Sequence, residues 1–144
     1  MDTRTTTIAI SWPCGAGSSP ARRGAIASAT RGKRGQAFFR ALVEALDAMP
    51  DKRLVEGELE TDEGSVCALG CLGKARGIDV GSLDTHDWDD LGEMFNIAPQ
   101  LAQEVMFMND EGGARVPENR WRLVRDWAAR QIRIEPPELA TRKP

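Results

Sequence analysis

Along the middle of this chain, apolar positions recur at three- and four-residue spacing, the pattern of helices that bury one face. The clearest case runs from Gly35 to Pro50. Phe38, Phe39, Leu42, Ala45, Leu46 and Met49 share one side, Arg40, Glu44 and Asp47 take the other, and Pro50-Asp51 stops the run. Ser19-Pro20 reads as an N-cap followed by proline at the first helical position, opening a helix through about Thr30 that Gly32 ends. Residues 53–59, with Leu54, Val55 and Leu59 in an acidic setting, fit either a helical turn or a strand, and residues 60–64 read as a loop. Val66 to Arg76 is expected to be helical, with Gly77 as its left-handed C-cap.

Asp87 is the expected N-cap of a short helix through Phe95, with Trp88, Leu91 and Phe95 facing inward. Asn96-Ile97-Ala98 turns the chain, and Pro99 opens a helix to about Asn109 that buries Ala102, Val105 and Met106. A last helix begins near Pro117 and reaches about Arg133, with Trp121, Val124 and Ala128 as its stripe, widened by Leu123 and Trp127. Pro136-Pro137 ends order. The pattern therefore predicts a mostly α fold: a compact bundle of about six helices with little or no sheet, spanning residues 19–134. Residues 1–18 read as a poorly ordered arm, in which Thr7 to Trp12 could form a short extended piece, and residues 135–144 read as a tail.

Within the Val66–Arg76 segment, Gly70 and Gly73 lie on one side of a helix, and glycine in a helix interior costs about 1 kcal/mol. Close approach of another helix or backbone is the expected compensation, with the Phe38–Met49 or the Trp121–Ile132 helix as the neighbour.

At 144 residues and 41% hydrophobic content, the chain has the size and core material of one domain. No apolar run has the length of a membrane span, and the N-terminal sequence lacks a secretory pattern, so a cytoplasmic location is expected. Three cysteines, Cys14, Cys67 and Cys71, make a poor disulfide framework and fit a reducing compartment.

The net charge of −3 conceals an asymmetry. Residues 1–40 carry net +6, residues 41–113 net −13 and residues 114–144 net +4. Basic ends around an acidic centre imply internal pairing or two separate contact surfaces. The candidate partner-binding residues are Arg22, Arg23, Arg31, Lys33 and Arg34 on the basic side. On the acidic side they are Asp87, Asp89, Asp90, Glu93 and Glu104.

Residues 91–106 have the apolar spacing of a helix-turn-helix. Their chemistry suits DNA badly. Residues 84–111 contain eight acidic groups and no Lys or Arg, whereas a groove-reading helix needs cationic neighbours for phosphates. A structural helical hairpin is the favoured reading. Arg31-Gly32-Lys33-Arg34-Gly35 suits phosphate or an acidic protein surface, but no Gly-Lys-Ser or Gly-Lys-Thr makes it a P-loop, and a solvated turn competes with it. Cys67, Cys71 and His86 fall short of a four-ligand zinc set, so no metal is expected. Asp87, Asp89 and Asp90 lack an EF-hand loop and suit the start of a helix instead. His86 is the sole histidine and tyrosine is absent; no nucleophile, metalloprotease or dinucleotide motif occurs. No enzyme activity and no cofactor are expected.

Several stretches carry a resemblance: residues 31–36 (Arg-Gly-Lys-Arg-Gly-Gln), 45–50 (Ala-Leu-Asp-Ala-Met-Pro), Lys52-Arg53-Leu54, Cys67-Ala68-Leu69-Gly70, 73–77 (Gly-Lys-Ala-Arg-Gly), Asn109-Asp110-Glu111, and Glu118 to Trp127. Together they resemble a family of small uncharacterised proteins of bacteriophages and prophages, while residues 1–18 depart from that pattern. The resemblance implies a phage accessory protein that binds a host protein or ribonucleoprotein, such as a defence complex of the CRISPR-effector kind, and obstructs it. The alternative expectation is a nucleic-acid-binding regulator that uses the helix-turn-helix-like segment or the basic N-terminal region. Neither reading calls for a membrane.

Overall fold

The computed structural model describes residues 19–133; the expected arm over 1–18, with its Thr7–Trp12 piece and Cys14, and the expected tail over 135–144 lie outside the described residues. Among the described residues there are six α-helices and no strand: α1 (Pro20–Arg31), α2 (Lys33–Ala48), α3 (Ala68–Ala75), α4 (Trp88–Phe95), α5 (Pro99–Glu111) and α6 (Pro117–Gln131). A single tighter turn, Val80–Ser82, lies between α3 and α4. The mostly α fold expected from the sequence is the one observed.

Helix starts follow local chemistry. Ser19 Oγ accepts the Arg22 N–H at 3.0 Å, with Pro20 at the first position of α1. An Asp87 carboxylate oxygen accepts the Asp90 N–H at 3.0 Å and caps α4. Pro99 and Pro117 open α5 and α6. α4 ends at Asn96, held in the left-handed region at φ 57°. The N–H of Asn96 bonds back to Glu93 O and that of Ile97 to Gly92 O, the paired closure of a Schellman motif. Gly77 closes α3 in the same way at φ 77°, with Gly77 N–H to Lys74 O and Ile78 N–H to Gly73 O.

α5 is the centre of the bundle. It packs against α1, α3, α4 and α6, while α2 packs against α1, α3 and α6. Phe38, Phe39, Leu42 and Leu46 of α2, Leu69 and Leu72 of α3, Leu91 and Phe95 of α4, Leu101 and Val105 of α5 and Val124 and Ala128 of α6 form one continuous core.

Residues 53–66 are neither helix nor strand. They fold back on themselves through a single antiparallel bridge between Glu60 and Val66, with Leu54 and Leu59 buried. This corrects the start expected for α3: Val66 belongs to the bridge, and Cys67 is the cap, its Sγ accepting the Gly70 N–H at 3.4 Å. It also corrects the expected neighbour of the glycine face. A Cβ on Gly70 would stand 1.9 Å from the Leu59 carbonyl oxygen, and one on Gly73 would stand 2.2 Å from Val80 Cγ1, so neither α2 nor α6 is what needs the room. The extended loop crosses α3 there, and its Leu59 carbonyl also accepts the Cys67 N–H at 3.2 Å.

Three buried polar side chains join segments far apart in sequence, and their bonds replace those lost to water. Arg120, 4% exposed, donates from Nη1 to Leu54 O at 2.9 Å and from Nη2 to Glu56 Oε1 at 3.1 Å and Ala114 O at 3.2 Å. Asn109 accepts the Ala68 N–H at 3.0 Å and donates to Val55 O at 2.9 Å. Gln36 does the same for the ends of α1 and α6, and that junction shapes the surface described next.

Candidate functional site

α1 contributes no fully buried residue. It lies along α2 and α5 and is tied at its C-terminal end by Gln36, whose Nε2 donates to Thr30 O at 2.8 Å and to Gln131 O at 2.9 Å. Gln36 Oε1 accepts the Arg133 N–H at 2.7 Å, and Arg40 Nη2 donates to Arg133 O at 3.0 Å. One buried amide thus brings together the ends of two helices nearly a hundred residues apart.

The consequence is a depression of about 580 Å3 whose rim carries Arg23 and Arg31 from α1 with Arg130 and Arg133 from the end of α6. Ile26, Ala27 and Thr30 give it an aliphatic floor. Among the described residues no carboxylate forms an ion pair with Arg31, Arg130 or Arg133. The basic blocks at the two ends of the sequence are one patch in space.

Glu104 also lines this depression, from α5. It is 6% exposed, and burial pushes its carboxyl above the ordinary value, opposed by the nearby positive charge of Arg22. It therefore lies in the floor of the cationic end, apart from the outer acidic residues with which the sequence grouped it. The half-buried Arg22 has its Nε enclosed without a hydrogen-bond partner among the described residues. Arg22 and Glu104 belong to the junction between α1 and α5 more than to the open surface.

The other acidic candidates do sit together. Asp87, Asp89, Asp90 and Glu93 line a shallow depression of about 640 Å3 at the α4–α5 turn. Arg34 joins them, its Nη1 donating to Asn96 Oδ1 at 3.3 Å, so one residue of the basic set faces the acidic edge. Lys33 is exposed at the first position of α2.

The helix-turn-helix-like spacing produced the expected hairpin: α4 and α5 pack closely, and a Cβ on Gly92 would stand 2.7 Å from the Ile97 carbonyl oxygen. Its second helix is nevertheless a core element. From Pro99 to Asp110 every residue is buried or half-buried, so α5 does not stand out from the bundle as a groove-reading helix does.

A third cleft, about 590 Å3, lies between the end of α2, the 53–66 loop and α3, with Cys71 in its wall and Asp51, Arg53, Glu63 and Lys74 among its charged lining. Burial pushes the Cys71 thiol up to about 11 and the Cys67 thiol up to about 12. Both are free and protonated at neutral pH, and a thiol is a poor nucleophile and metal ligand compared with the thiolate. His86 is exposed beside Asp84. Among the described residues no three His, Cys, Asp or Glu side chains converge on a metal position, and no helix is long and apolar enough to cross a membrane.

The sequence reading missed Arg130, Arg133 and Ile26 as site residues. The C-terminal basic block was visible, but its meeting with α1 depends on Gln36, which carries no periodic signal. No family model matches the chain, and no curated protein and no solved structure matches it.

Proposed function

We propose that this chain is a non-enzymatic accessory protein of the phage and prophage kind, working in the cytoplasm of a bacterial host by binding a host macromolecule. A defence complex such as a CRISPR effector is the target class that the resemblance favours. One observation carries the binding reading: arginines from the two ends of the sequence share one rim, around an aliphatic floor, beside a helix that has no fully buried residue. Arg31, Arg130 and Arg133 have no carboxylate partner among the described residues, and an anion that neutralises such a cluster is favoured.

The buried polar groups support a role without chemistry. Arg120, Asn109 and Gln36 are each committed to fixing the backbone. The test is capture of partners from host lysate by the tagged chain, with and without nuclease. A discrete partner retained after nuclease is the expected result, and recovery of nothing under either condition overturns the reading.

The cationic rim also favours a second reading, a nucleic-acid-binding regulator that uses α1 and the end of α6. A gel-shift titration separates the two, because phosphate binding weakens steeply as salt rises. Absence of a shift at low salt ends that alternative.

A further inference from the structure

We propose that the cationic depression between α1 and the end of α6 docks a segment of a partner protein in which an aliphatic side chain is flanked by aspartates or glutamates. This rests on the host-binding reading above and names the chemistry of the partner.

Three features of the depression choose between the anions an arginine rim can hold. The floor is aliphatic: Ile26 and Ala27 offer van der Waals contact to a Leu, Ile or Val side chain. Among the described residues no aromatic side chain lines it, so they offer no stacking platform of the kind on which proteins hold unpaired bases. The rim is made of arginine, whose planar fork pairs with a carboxylate through two parallel hydrogen bonds.

The third feature is Glu104. The residue is 6% exposed and lines the depression, and no described residue donates a hydrogen bond to its carboxylate, whose oxygens are not sealed from solvent. A phosphodiester backbone would bring only acceptors and negative charge to that oxygen. A peptide brings backbone N–H donors. An extended segment with its aliphatic side chain on Ile26 and its carboxylates on Arg31 and Arg130 can donate an N–H to Glu104, completing the bonding of a group otherwise costly to enclose. The backbone N–H donors of a peptide, which a phosphodiester lacks, set the two apart at this oxygen.

The experiment is fluorescence anisotropy of the full chain with three labelled probes. One is a peptide with two leucines between aspartates and glutamates. The second is the same peptide with serines for the leucines, and the third is a single-stranded oligonucleotide of matched charge. The leucine peptide is expected to bind tightest. Combined Arg31→Glu and Arg130→Glu, both at exposed positions, is expected to weaken it by roughly tenfold or more, since both forks are lost and repulsion replaces them. Equal binding of the serine peptide, tighter binding of the oligonucleotide, undiminished binding by the double variant, or no binding at low salt each overturns the proposal. The first two and the last are read on the unaltered protein and do not depend on how the variant folds. A lysate partner captured equally by the parent and the double variant leaves the host-binding reading standing and removes this one.

Discussion

α3 and α1 are built on opposite terms. α3 has eight residues and buries six of them; α1 has twelve and buries none. Both contain glycine in the interior, where it weakens a helix. In α3 the glycines admit the Leu59 carbonyl and the Val80 side chain, so tertiary contact fixes the helix. Gly24 in α1 meets nothing within 4 Å. α1 stays in place through its Ser19 cap, its packing on α2 and α5, and the Gln36 junction. The short helix is there for the fold. The long one displays arginines at the edge of a stable frame, which is where recognition elements generally lie.

The difference is best broken by one substitution made in several places. Gly70→Ala places a methyl group against backbone that cannot swing aside, and the expected loss is about 3 kcal/mol, at the upper end of overpacking costs. Chemical denaturation measures it, and a variant as stable as the parent removes the account of α3.

Gly35→Ala tests the seam between the two regions. Its Cβ would stand 1.9 Å from the Ala29 carbonyl oxygen of α1. The expected cost is roughly 1–3 kcal/mol, confined largely to α1. In hydrogen exchange, amides of residues 20–31 should lose protection while those of α3 keep theirs. Equal loss in both helices would show that α1 is an integral part of the core.

Glu104→Gln sharpens the comparison through pH. Because burial raises the folded-state pKa of Glu104 above its ordinary 4.5, the folded protein holds that proton more firmly than the unfolded chain. Stability from this group is therefore fully present below the ordinary carboxylate value and is lost as pH rises through the raised one. Across that window the stability of the parent relative to the variant should fall as pH rises, because Asp47, with its lowered pKa, acts in both proteins alike. A parent–variant difference in thermal melts that does not change with pH refutes the buried, raised-pKa description.

Gly24→Ala should have the smallest effect and the opposite sign. With open space around the site and a better helix former in it, α1 is expected to gain about 0.5–1 kcal/mol. A destabilised variant would mean that something covers that face of α1.

Much of this architecture was legible because its signals are local. Ser19-Pro20, Asp87, Pro99 and Pro117 opened helices where capping chemistry placed them, and Asn96 and Gly77 closed them. The start of α3 was not legible, because a cysteine cap has no place in the usual set of side-chain oxygens. Nor was the role of residues 53–66, whose position depends on Arg120 and Asn109 reaching across more than forty residues. For the site, the charge blocks were visible and their meeting was not. Arg31 and Arg130 share a rim because α1 and α6 both pack on α2, where Gln36 bonds to both helix ends. Glu104 looked like one more surface acid because its spacing could not reveal that α1 lies against α5.

The central claim is that the α1–α6 end is the contact surface. Two charge-reversed variants, used in nuclease-treated host lysate, test it directly: Arg31→Glu with Arg130→Glu, and Asp89→Lys with Glu93→Lys. All four positions are exposed, so both variants should retain the parent fold by circular dichroism. Quantitative partner capture is then compared with the parent. The account predicts that capture is lost with the first pair and retained with the second; capture retained with the first pair and lost with the second contradicts it.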